Sequence, residues 1–293
     1  MSQTLFPSTF SIVAYDPQAR EWGIGVQSKF LAVGAVVPWA QAGVGAVATQ
    51  SYANTSFGPD GLALMAQGLD AQEALGRLTA QDEGRARRQV GMVDAQGRPA
   101  TFTGDECHAW AGGLTGTHYA VQGNILVSGA TVEAMAHAFE ETPGELADRL
   151  VSALAAGQLA GGDRRGQQSA AVLVVRAEGG YGGYNDRYLD LRVDDDPAPI
   201  ERLKALVDLH HLFFRPPAPG EMISIEGDLA AETQRILGWA GYYDGPLTGE
   251  YDEPTQQALR ALVGNENFEE RFDEEKGLIS RQVMDLFRQR FGP

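Results

Sequence analysis

The stretch that most constrains this chain runs from Thr9 to Phe30, where two alternating segments flank a turn. Phe10, Ile12 and Ala14 alternate with Ser11, Val13 and Tyr15. After Asp16-Pro17-Gln18-Ala19-Arg20, Trp22, Ile24 and Val26 alternate with Gly23, Gly25 and Gln27. A period of two on both sides of a turn predicts a β-hairpin. An antiparallel return brings the end of the second strand beside the start of the first. Thr9, preceded by Ser8, therefore stands at the mouth of a sheet, near Ser28 and Lys29.

A threonine hydroxyl is a weak nucleophile and needs a base. If Thr9 became the first residue of a mature chain, its own α-amine would be that base. An α-amine titrates at roughly pH 8, and a neighbouring lysine ammonium lowers that value by like-charge repulsion. The plainer reading makes Thr9 an ordinary strand start and Lys29 a surface charge. Removal of Met1 would expose Ser2, so the catalytic reading needs either cleavage between Ser8 and Thr9 or a different start.

Several runs carry a family resemblance: Thr9 to Ala14, Ser28 to Ala40, Ala42 to Gln50, Arg88-Gln89-Val90-Gly91, Ala120 to Leu126, Gly161 to Ser169, and Gly182 to Asp186. They are similar to a bacterial and archaeal family known only as a domain of unknown function. That family is grouped with the N-terminal-nucleophile (Ntn) hydrolases, which include proteasome subunits and several amidases. The resemblance spans roughly residues 9 to 214 and implies an α+β fold, a four-layer αββα sandwich. It implies an amidohydrolase acting on a small amide or peptide. On that reading Thr9 would be the nucleophile, Lys29 the electrostatic tuner, and Asn124, otherwise a turn or bulge residue, a donor to the developing oxyanion. Asp163 and Ser169 resemble the Asp and Ser that hold the terminal amine in proteasome subunits. A non-catalytic fold that binds a metabolite or a partner protein is the alternative; a wall-associated hydrolase is a third reading.

Substrate-binding candidates follow from position. Ser28 lies beside Thr9, and Gln50, Tyr52 and Asn54 follow the expected fourth strand, where a pocket rim would lie. Arg164, next to Arg165, could clamp a substrate carboxylate bidentately. His108, His118, His137, His210 and His211 show no metal-ligand spacing, and no strand-Gly-rich-loop-helix segment offers a phosphate loop. No metal or cofactor is expected.

The chain has 293 residues and a formal net charge of −16. That balance argues against nucleic acid and anionic membrane as partners. A single cysteine, Cys107, precludes an internal disulfide and suits a reducing compartment. No segment reaches the roughly 20 apolar residues that span a bilayer. The first eight residues lack the basic and apolar regions of a secretory signal, so a cytoplasmic location is expected.

Further along, Val33–Val37 and Val44–Thr49 are expected as strands, and helices are expected over 60–69 and 70–79. Residues 88–94 and 99–102 should form another hairpin, followed by a strand over 118–126, helices over 131–141 and 144–156, strands over 170–176 and 188–193, and a helix over 200–214. The first domain is thus placed at 1–214, with 1–8 a propeptide or extension. Pro216-Pro217-Ala218-Pro219-Gly220 reads as a stiff linker within 215–223. Residues 224–293 are expected to form a small all-α, three-helix domain, with Ser280 capping its last helix. Glu232 to Leu237, Gly241-Tyr242-Tyr243-Asp244-Gly245 and Pro254 to Leu259 resemble peptidoglycan-binding-like modules. That resemblance implies a protein-docking or oligomerisation element, with a peptidoglycan fragment as the other partner; a homo-oligomer is expected.

Overall fold

The computed structural model describes residues 9–292, so the expected propeptide or extension at 1–8 lies outside the described residues. The chain divides into two compact units, one ending at Val207 and one starting at Asp208.

In the first unit, the hairpin forms as the alternation requires. β1 (Thr9–Asp16) pairs antiparallel with β2 (Glu21–Ser28) without a break, from Thr9↔Ser28 to Asp16↔Glu21. The Asp16 carboxylate closes the turn by accepting from the amides of Gln18 and Ala19. Val33–Ala35, expected as strand, is a single 3-10 turn entered through a left-handed Ala32. The strand β3 (Pro38–Gln41) starts at the proline instead. Pro38 lacks an N–H, which is tolerated at the first residue of an edge strand, and β3 is an edge. β4 (Gly45–Ser51) follows, then α1 (Phe57–Ala66) and α2 (Ala71–Gln81). Asp70 and Glu73 form a capping box at the start of α2, which satisfies two otherwise unpaired backbone donors.

Next come β5 (Arg88–Asp94), β6 (Pro99–Thr103), β7 (Gly112–Gly116), β8 (Tyr119–Asn124), α3 (Ala130–Glu141), α4 (Leu146–Leu159), β9 (Ser169–Val175), β10 (Arg187–Val193) and α5 (Pro199–Phe214). The strand β7 has no sequence signal, because Gly-Gly-Leu-Thr-Gly carries one apolar side chain and nothing to alternate. The strands build a six-stranded sheet, β10-β9-β2-β1-β8-β7, and a four-stranded sheet, β3-β4-β5-β6.

Alternation assigns each face. Phe10, Ile12 and Ala14 pack with Leu146, Leu150 and Leu154 of α4 and Met135 and Phe139 of α3. Val13, Ile24 and Val26 point the other way, into a core shared with Ala46, Ala48 and Val93 of the second sheet. The outer face of that sheet, Val47, Val90 and Met92, is covered by Leu62 and Met65 of α1 and Leu75 and Leu78 of α2. The layers run helices, sheet, sheet, helices. Close approach of α4 depends on Gly23, where a Cβ would stand 2.8 Å from Leu150. Each fully buried aliphatic side chain contributes about 1.5–3 kcal/mol.

The second unit holds β11 (Met222–Ser224), α6 (Asp228–Trp239), α7 (Glu253–Asn265), β12 (Phe272–Asp273), β13 (Leu278–Ser280) and α8 (Arg281–Phe291). Its core includes Ile236, Leu237, Leu259, Leu262, Phe268, Met284 and Phe287. The three expected helices are joined by a sheet of order β11-β13-β12, so the unit is not all-α. Its strands are two or three residues long, too short to show a period. Ser280 stands at the start of α8 but does not cap it: its hydroxyl donates to Glu221 Oε1 at 2.6 Å.

Candidate active site

The register of the six-stranded sheet lines up Ser169, Ser28, Thr9 and Asn124 across four strands. Residues directly opposite one another project from the same face. That face carries Val13 and Ile24 into the inter-sheet core, so the four polar side chains form the far end of the same layer. All four are buried; Thr9 has 0% of its surface exposed. Thr9 Oγ1 donates to Ser28 Oγ at 3.2 Å.

Three glutamines close this polar end. Gln89 Oε1 accepts from Gln50 Nε2 at 2.8 Å and from Asn124 Nδ2 at 2.9 Å. Gln89 Nε2 donates to Gly123 O at 2.8 Å and Thr103 Oγ1 at 2.9 Å. Both Gln50 Nε2 (3.3 Å) and Asn124 Nδ2 (3.4 Å) also donate to the backbone carbonyl of Thr9. Ser11 Oγ donates to Gln50 Oε1 at 2.7 Å and accepts from Gln122 Nε2 at 2.6 Å. A buried hydrogen bond nets about 1 kcal/mol, whereas orphaning one partner costs about 1–3 kcal/mol. The network therefore holds Thr9 by its carbonyl more firmly than any single bond suggests.

The other sequence candidates each have partners of their own. Lys29 follows the strand end and is exposed; its ammonium donates to Gln167 O at 3.0 Å. The residue directly opposite Thr9 is Ser28, and Lys29 stands one position beyond it. Asp163, buried, accepts from the Lys29 amide at 3.0 Å and is paired with Arg165. Ser169 accepts from the Val33 amide and donates to Phe30 O, pinning the segment after β2. Arg164 Nη2 donates to Leu126 O at 3.1 Å, a bond that engages its guanidinium with the backbone. Tyr52 hydroxyl stands 3.3 Å from His108 Nε2, with Arg87 over its ring at 5.6 Å. Asn54 builds the turn before α1, its Oδ1 accepting from the Ser56 amide. Of the rim candidates, Gln50 donates to the Thr9 carbonyl.

Sequence reasoning passed over Gln89, Gln122 and Ser11. Their signal was a polar residue at an inward position of an otherwise apolar strand. Cys107 Sγ donates to Arg88 O at 3.3 Å, and burial pushes its thiol above the usual range. A thiol held protonated is a poor nucleophile. Among the described residues, no three His, Cys, Asp or Glu side chains converge to hold a metal ion. Nor is any helix among them long and apolar enough to cross a membrane.

A family model, the family of unknown function DUF1028, matches residues 9–203 and so begins on Thr9 itself. The chain belongs to the DUF1028 family. Its fold is similar to the crystal structure of a DUF1028 protein from Silicibacter pomeroyi, with 30% identity and a TM-score of 0.64. The match covers 78% of this chain and 91% of that one. A second model, PG_binding_2, described as a candidate peptidoglycan binding domain, matches residues 212–287. No curated protein matches the chain. The DUF1028 segment thus holds the whole polar row, Thr9 to Ser169, and ends within the first half of α5.

Proposed function

We propose that the first unit is an amide-bond hydrolase of the N-terminal-nucleophile type, acting on a small amide or peptide, with Thr9 as nucleophile. One observation carries this reading: a hydroxyl at the first residue of a central strand, hydrogen-bonded to Ser28 and held by its carbonyl through Gln50 and Asn124. The row contains only hydroxyl and amide side chains, so it supplies no base. The α-amine of Thr9, once freed by addition of water across the Ser8–Thr9 peptide bond, supplies one. Ser28 then orients the hydroxyl, and Asn124 positions Thr9 through its carbonyl. Lys29, whose own amide is held by Asp163, contributes its charge from the strand end. The layer order of two sheets between two helix pairs agrees with the Ntn resemblance.

Full-length protein from its native host tests this by intact mass and N-terminal sequencing. The expected species begins at Thr9 and hydrolyses at least one of a panel of acyl p-nitroanilides; Thr9→Ala reduces turnover to background without lowering Tm. Turnover by a chain that retains residues 1–8, or undiminished activity in Thr9→Ala, overturns it. The complete burial of Thr9 favours a second reading, a non-catalytic fold that binds a metabolite or partner. Under that reading the chain stays uncleaved and inactive.

For the second unit, the PG_binding_2 match supports engagement of a peptidoglycan fragment. Docking of a protein partner is the competing role.

A further inference from the structure

A cavity of about 310 Å³ in the second unit is lined by Glu232, Arg235, Ile236 and Trp239 of α6, and by Arg288 and Gly292 at the end of α8. The α6 residues recur at i, i+3, i+4 and i+7 and so share one helix face. Ile236 is buried and forms an apolar floor. Trp239, by contrast, is 54% exposed, a large aromatic surface left in water. The Arg288 guanidinium is fixed by both oxygens of Glu232, at 2.8 and 2.7 Å, and by Asp285. Arg235 is exposed and makes no hydrogen bond or ion pair among the described residues. In a chain of formal net charge −16, this guanidinium, with the Glu232 carboxylate as an electrostatic neighbour, stands on the same helix face as an exposed indole.

Those groups define a ligand. An indole face takes up the apolar face of a ring or a methyl-bearing group. A guanidinium recognises a carboxylate bidentately. The Glu232–Arg288 pair offers a fixed acceptor edge and donor edge to hydroxyl or amide groups. A few placed polar groups around an apolar floor is the usual make-up of a small-molecule site. We propose that this groove binds a carboxylate carried beside an apolar ring or methyl face, as in a wall-glycan fragment. Trp239 is the stacking surface and Arg235 the carboxylate partner. Two parts of such a fragment bear this chemistry: the lactyl group of N-acetylmuramic acid, and the terminal carboxylate of a short stem peptide. The proposal rests on the reading of the second unit as a wall-fragment module and is independent of Thr9.

The full chain is titrated with N-acetylmuramic acid, N-acetylglucosamine and N-acetyl-D-alanyl-D-alanine. The indole N–H resonance of Trp239, assigned with Trp239→Phe, reads binding. A saturable shift is expected with at least one carboxylate ligand, and binding at least about tenfold weaker for N-acetylglucosamine, which lacks the group. Arg235→Gln, an exposed and near-isosteric change, should erase that preference. The tighter of the two carboxylate ligands identifies which part of the fragment is read. Absence of a saturable shift with both, or an unchanged preference in Arg235→Gln, overturns the groove. Co-sedimentation with insoluble peptidoglycan separates the two levels. If wild type, Trp239→Ala and Arg235→Gln all co-sediment equally, the module reading stands and the groove falls. If the wild type stays in solution, the module reading fails and the groove with it.

Discussion

Glu21 shows how one residue can make stability depend on pH. Its side chain is 2% exposed, on the hairpin's second strand, 2.8 Å from Arg176 Nη1. Arg176 in turn lies 3.8 Å over the ring of Tyr188, whose hydroxyl donates to Glu145 at 2.9 Å. Burial pushes the Glu21 carboxyl up from its ordinary 4.5 to about 6, against the opposing charge and hydrogen bond of Arg176. A folded value above the unfolded one means the native state binds the extra proton. The associated stabilisation is complete below about 4.5 and fades as pH rises through about 6. Glu21→Gln should remove that dependence. The difference in unfolding free energy between variant and wild type, from urea titrations at pH 4 to 7.5, should shift toward the variant by up to about 2 kcal/mol across this window. A difference that stays constant with pH would show that Glu21 does not titrate there.

At the level of the element, the two-residue period decides what each strand shows to each layer, and one glycine lets the two sheets meet at the polar end. Gly91 on β5 faces Gln122 on β8; a Cβ there would stand 2.1 Å from Gln122 Oε1. Gln122 is fully buried and holds Ser11 at 2.6 Å, so its amide has no solvent to retreat into. Gly91→Ala should therefore cost about 1–3 kcal/mol by breaking this bond rather than by bulk alone. In a Gln122→Ser background most of that loss should vanish, a coupling that a double-mutant cycle measures directly. Additive effects would place the strain elsewhere. The strands and helices themselves were largely legible: the hairpin, α2 with its Asp70 cap, α3, α4 and β9 stand where the period put them. Where a segment was too short or too glycine-rich to carry a period, as in β7 and β11 to β13, it was not.

Across the whole molecule, each unit has its own apolar core, and each has a buried polar anchor. In the second unit that anchor is Arg271, 3% exposed. Its guanidinium donates to His211 O at 2.7 Å, Leu212 O at 2.9 Å and Glu221 Oε1 at 2.7 Å. It joins the segment before β11 to the turn before β12. Arg271→Met leaves the Glu221 carboxylate and two carbonyls without this donor, a loss of about 3–5 kcal/mol. Calorimetry should show the transition of the second unit falling while that of the first holds; Gly91→Ala should do the reverse. Equal movement of both transitions by either variant would mean that the two cores melt as one.

The sequence by itself determined the local periods, and through them the type of most elements, the helix faces and the resemblance of each unit to its family. It also placed Thr9 at the start of a strand, because alternation and turn chemistry are local and act within a few residues. Only the tertiary structure decided which side chains share a row. Thr9, Asn124 and Ser169 fall in one row because strands far apart in the chain pair in one register, and that register is fixed by burial of Phe10, Ile12 and Ala14 against α3 and α4. A shift of one residue reverses the face of every side chain on a strand. That is why Ser28 lies against Thr9 while Lys29, one position on, turns to Gln167, and why Gln89 could be known as part of the site, and Gln50 as a donor to the Thr9 carbonyl, only once the second sheet was laid on the first.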